Sequence, residues 1–230
     1  MNVEGLAGNF HAVAPDLPGH GDSGLPRGFT IGLRGFSSFI EQLRDALAPG
    51  DIILVGHSIA GSIGMYYAAT YPGGISRLVL IDSPITARAL YWPLSLTFLD
   101  TLLSLYYPFR GRGSYLRMIT SSVRYHDRLP SEFLEAASTQ ASKILKQVRM
   151  ETTRMVRTLD LGTVPERIEL PVMVIWGERD GTVKPGEALN LLERIRDVRL
   201  HVLSDCDHYP PYEQPETVNE LIENFIRETF

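Results

Sequence analysis

The run Ile52-Ile53-Leu54-Val55-Gly56-His57-Ser58-Ile59-Ala60-Gly61 passes from an apolar strand into a small-residue helix with Ser58 at the corner. A continuous apolar run ahead of a turn suits a strand buried on both faces, and Ile59 to Thr70 continues as a small, apolar helix before Pro72-Gly73. Working outward, similar runs recur at His11 to Pro15, Leu78 to Ile81 and Val172 to Trp176, and Val198 to Leu203 is β-branched and alternating. Helical stripes lie between them. Phe36, Phe39, Ile40, Leu43 and Leu47 stop at Pro49-Gly50, and Ala188, Leu189, Leu192 and Ile195 form another stripe. Pro215 and Glu216 open a last helix that buries Val218, Leu221, Ile222, Phe225 and Ile226. Strands alternating with helices predict an α/β fold with a mostly parallel, doubly wound sheet. The stretch 90–161 breaks the rhythm and reads as a helical insertion, so the core is 1–89 with 162–230.

The whole chain narrows the possibilities. Its 230 residues, 44% hydrophobic and 21% charged, suit one globular core carrying an insertion rather than a disordered or fibrous chain. A net charge of -5 argues against nucleic-acid binding through bulk electrostatics. Between Arg110 and Arg157 cations outnumber acids ten to four, a basic surface best read as solvated, with attraction of anions or a membrane surface as the sharper reading. Tyr91 to Phe109 is the greasiest stretch, but Pro93, Asp100 and Pro108 interrupt it, so no membrane span is expected. The lone Cys206 excludes an intrachain disulfide and fits a reducing, cytoplasmic setting, and no signal peptide is visible.

Chemistry concentrates at the corner. A turn that tight strains the backbone, lifts the Ser58 hydroxyl above the sheet, and requires small residues at Gly56 and Ala60. The helix start aims the Ile59 N–H at a developing oxyanion. A serine needs a base and an orienting acid. Asp180 follows the strand Val172 to Trp176, and His208 follows the last strand. Gly19 to Gly24 satisfies G-x-G-x-x-G, but Pro26 and Gly28 oppose the helix a dinucleotide site needs. The six histidines show no H-x-x-x-H spacing, so neither metal nor cofactor is expected. His20 and His57 read as structural hydrogen-bonding residues flanking the site, and Cys206 as a small buried hydrophobe.

With Ala14-Pro15-Asp16-Leu17-Pro18-Gly19-His20-Gly21-Asp22-Ser23, Leu78-Val79-Leu80-Ile81-Asp82-Ser83 and Glu213-Gln214-Pro215-Glu216, the chain resembles the capped branch of the α/β-hydrolase superfamily. The resemblance implies Ser58 as nucleophile, His208 as base and Asp180 as acid, with Asp82 the runner-up acid. It implies that 90–161 is a cap, with His57, Tyr91, Trp92 and Phe98 at an apolar acyl substrate; core packing is the alternative for these cap aromatics. A serine at the corner argues against the aspartate-nucleophile branches. The expected reaction is hydrolysis of a carboxylic ester or related acyl compound. Carbon–carbon hydrolase, peptidase, lyase and perhydrolase chemistry stay open, as does a weakly active or non-catalytic binding protein. Oligomeric state is not legible. The family's His-Gly loop is not found ahead of His11, so either the sequence starts late or His11 to Pro15 fills the sheet position beside the Ser58 strand.

Overall fold

Four of the five apolar runs become strands: β1 (Ile53–His57), β2 (Arg77–Ile81), β3 (Val172–Gly177) and β4 (Val198–Leu203). The computed structural model describes residues 1–47, 50–91, 129 and 131–228. The strands form one parallel sheet in the order β1-β2-β3-β4, with Val55 opposite Val79, Val79 opposite Met173 and Met173 opposite Arg199. Parallel neighbours need crossovers, and helices supply them. In chain order the described helices are α1 (Asn2–Leu6), α2 (Leu33–Leu47), α3 (Ile59–Thr70), α4 (Ser131–Lys143), α5 (Lys146–Arg157), α6 (Gly186–Arg194), α7 (Pro210–Glu213) and α8 (Pro215–Arg227), of which α3 to α6 lie between strands.

Side chains alternate between sheet faces, and here both faces are covered. Leu78, Leu80, Val172, Val174 and Trp176 pack with Met65, Tyr67 and Leu191 on one side. Val79, Ile81, Met173 and Ile175 pack with Val218, Ile222 and Phe225 of α8 on the other. Each such residue contributes about 1.5–3 kcal/mol relative to exposure. The central strands β2 and β3 therefore carry the core, and this two-sided burial is what made them legible as unbroken apolar runs.

The fifth expected strand is a correction. His11 to Pro15 is neither a strand nor a filler beside β1. The sheet order leaves one side of β1 without a strand partner among the described residues, and His11 to Pro15 does not pair with that edge, so its backbone lacks the ladder bonds that define a strand. Val13 and Val55 consequently stand 47% and 42% exposed.

Within 90–161, α4 and α5 match the helical expectation, while Trp92 and Phe98 lie outside the described residues. The segments flanking this stretch run side by side. Ala87 N–H donates to the Leu159 carbonyl at 2.8 Å, and Leu161 N–H to the Ile85 carbonyl at 3.0 Å. Lys143 of α4 pairs with Asp22, and Gly19, at φ 77°, lies where a Cβ would overlap Val148 of α5. These two helices thus rest on the loop that carries the glycine motif. In that loop no helix opens at Gly24; Asp16 instead accepts the Asp22 N–H at 2.9 Å. Among the described residues no helix is long and apolar enough to cross a membrane.

Candidate active site

β1 runs into α3 through Ser58, whose φ of 55° and ψ of −126° are costly for a residue with a Cβ. Its N–H donates to the Ile81 carbonyl of β2 at 2.7 Å, which holds the corner against the sheet. The close approach expected at Gly56 and Ala60 takes in Gly61 as well. A Cβ on Gly56 would stand 2.6 Å from the Gly61 backbone and 2.7 Å from the Ala60 carbonyl carbon, and Ala60 is exposed. Gly56→Ala is therefore expected to cost about 1–3 kcal/mol, because only backbone could give way. For a chain of this size that lowers the melting temperature by roughly 2–4 °C per kcal/mol, measurable by calorimetry.

Across the sheet, His208 reaches both partners. Its Nδ1 lies 3.0 Å from Asp180 Oδ2, and its Nε2 lies 3.1 Å from Ser58 Oγ. The carboxylate can only accept, so Nδ1 carries the proton and Nε2 is left to accept from the hydroxyl. Asp180 Oδ1 is held by the N–H groups of Thr182 at 2.7 Å and Val183 at 2.8 Å. Both Asp180 and His208 are buried, so the three groups face each other away from bulk water. Ile59 opens α3, and its N–H has no acceptor one turn back within the helix.

Asp82 is close but not in this line. It sits at φ 45° after β2, and its Oδ1 accepts the Gly177 N–H at 2.8 Å. Its Oδ2 is buried without a partner, and burial, with the Asp180 charge beside it, pushes this carboxyl well above the usual range. Asp180, the stronger candidate, is the acid that meets the histidine.

Two further carboxylates escaped the sequence reading. Asp207 Oδ1 accepts the His208 N–H at 2.8 Å and the Gly181 N–H at 2.9 Å, tying the acid loop to the base loop. Glu213 accepts the Asp207 N–H at 3.0 Å through one oxygen and the Tyr209 N–H at 3.0 Å through the other. Their signal was present in Asp207-His208 and in the acid five residues on, but a bracing role needs the loop's curvature to be known.

His57 faces the base. Its Nε2 donates to the His208 carbonyl at 2.6 Å, and its ring packs on those of His208 and Tyr209. Burial, then the neighbouring imidazole, lowers its pKa to about 3. The unfolded chain, with a pKa near 6.5, binds this proton more readily, so the contribution is complete above pH 6.5 and is lost as pH falls toward 3. Between pH 7 and pH 5 the native chain should lose about 2 kcal/mol more stability than His57→Gln, read by urea unfolding.

The remaining candidates divide. Tyr91 is 41% exposed, with its N–H on the Thr182 carbonyl at 3.0 Å, beside the Asp180 loop. His20 Nδ1 lies 3.2 Å from the Pro18 carbonyl, with its ring edge on Phe36, and Cys206 is buried with its thiol pushed up by that burial. Among the described residues, His57, Asp82 and His208 bring potential metal-ligand atoms within 4.8 Å of one another. Both His208 nitrogens are already engaged by Ser58 and Asp180, so an ion there would have to displace those bonds.

The family model for the alpha/beta hydrolase family matches residues 3–221, nearly the whole chain. The chain belongs to the alpha/beta hydrolase family. This hydrolase is 24% identical over 234 residues to Lipase 1 of Psychrobacter immobilis, covering 94% of the chain and 68% of that protein. It is 25% identical over 245 residues to the 2-hydroxy-6-oxononadienedioate/2-hydroxy-6-oxononatrienedioate hydrolase of Burkholderia vietnamiensis, covering 98% and 80%. Its fold matches the enol-lactonase of Burkholderia xenovorans with a TM-score of 0.82 at 20% identity, over 99% of this chain and 85% of that one.

Proposed function

We propose that this alpha/beta hydrolase cleaves a carboxylic ester or related acyl substrate through an acyl-enzyme on Ser58. The supporting observation is the hydrogen-bonded line from Ser58 Oγ through His208 to Asp180. In this reading Ser58 Oγ bonds to the carbonyl carbon as its proton passes to His208 Nε2. The Ile59 N–H stabilises the oxyanion, and the imidazolium gives its proton to the departing alcohol. Water then loses a proton to Nε2 and attacks the acyl carbon, and as the carboxylic acid departs the imidazolium returns that proton to Ser58 Oγ. The cycle balances without a cofactor. Residues 90–161 form a cap in this reading, supported by the adjoining exit and re-entry at Ile85–Ala87 and Leu159–Leu161. In this reading His57 and Tyr91 border the apolar acyl group.

Carbon–carbon hydrolysis is the second reading, favoured by the Burkholderia vietnamiensis relative, whose similarity spans 98% of this chain. Turnover of a short p-nitrophenyl ester set against a vinylogous diketone separates the two. The mechanism itself is tested with a fluorophosphonate probe and intact mass measurement. One adduct, mapped to Ser58, is expected. Folded protein that takes up no probe would reject the mechanism and favour a non-catalytic binding protein.

A further inference from the structure

The base-bearing loop is gripped from the insertion. Phe133 of α4 packs against Tyr212, with ring centroids 4.0 Å apart and ring planes tilted by 38°, and meets Tyr209 at 5.4 Å. Tyr209 in turn lies 5.3 Å from the His208 ring and 5.4 Å from His57. Leu129, buried, and Leu134 and Ala137 close around the same group, a small apolar cluster separate from both faces of the sheet. Tyr209 and Tyr212 belong to the single turn that follows His208. Tyr212 N–H donates to the Tyr209 carbonyl at 2.8 Å, and Glu213 holds the Tyr209 N–H from its other side. A four-residue turn has little rigidity of its own. Asp207 and Glu213 tie its backbone, and the aromatic group packed on Tyr209 and Tyr212 adds a second restraint on the turn that carries the imidazole.

We propose that Phe133 is a positioning residue: wedged against Tyr209 and Tyr212, it aligns the His208 imidazole with Ser58, so that the seating of α4 governs the strength of the base. The proposal rests on the serine mechanism above. It makes the insertion part of the catalytic alignment as well as a wall for substrate.

The test is the second-order rate at which phenylmethanesulfonyl fluoride modifies Ser58. This small reagent depends on the base but makes little demand on an acyl pocket. Phe133→Ala should slow modification about 10- to 100-fold, the scale at which remote misplacement costs rate. It should lower kcat for a short ester with KM changed less than about threefold, and Phe133→Tyr should recover most of the rate. Leu134→Ala removes apolar volume from the same cluster without the ring contacts, so it should stay within about twofold of native; this separates alignment from general loosening. Modification of Phe133→Ala at the native rate, or an equal loss in Leu134→Ala, overturns the proposal while leaving the serine mechanism standing. If Phe133→Ala fails to fold, Phe133→Leu carries the same comparison, with an intermediate loss expected and native rates overturning the proposal. Native protein that is never modified at Ser58 overturns both.

Discussion

Ser58→Ala is expected to lower turnover of a short activated ester roughly 10⁵- to 10⁶-fold, to the residue of catalysis left by binding and the helix N-terminus. The variant removes one oxygen and little else. The Ser58 side chain makes no capping bond to α3, and its backbone N–H keeps the bond to Ile81. The melting temperature should therefore stay within a few degrees of native, which separates lost chemistry from lost fold. Fluorophosphonate labelling should vanish in step with turnover. Ester hydrolysis in the variant within tenfold of native would reject Ser58 as the nucleophile and leave the mechanism without its attacking atom.

Asp180→Asn is expected to cost about 10⁴-fold in kcat with a nearly unchanged fold. The asparagine oxygen can still accept from Thr182 and Val183, as Oδ1 does. Its amide then faces His208 Nδ1 and donates where the carboxylate accepted. That selects the tautomer with the proton on Nε2, which can no longer accept from Ser58. Asp82 makes no hydrogen bond to His208 in this geometry: Oδ1 accepts from Gly177, and Oδ2 is buried without a partner. Single-turnover kinetics with an activated ester is the measurement. A loss of less than about tenfold would show that the acid is not Asp180, and Asp82→Asn in the same background would then identify the replacement.

The two variants probe features that were legible to different degrees. The Ser58 corner could be read locally, because an apolar run meeting a small-residue helix without a spacer leaves few backbone paths. His11 to Pro15 misled for the opposite reason. Its composition is strand-like, but a strand exists only with a partner, and none lies beside it. The choice of Asp180 over Asp82 was open because both follow buried strands, and only the aim of the two loops distinguishes them. Asp207, Glu213 and Phe133 went unread because each acts on the base through a loop or a ring rather than at a recognisable spacing.

Periodicity and turn chemistry along the chain determined four parallel strands, their helices and the strained serine. Those are short-range consequences of where apolar groups can hide and where the backbone can bend. Folding alone decided that groups 150 residues apart, Ser58 and His208, meet within a hydrogen bond. The distance between them is set by strand order and by the loops leaving β1, β3 and β4 at one edge of the sheet. It is a sum of many packing contacts, none of which is written at either residue.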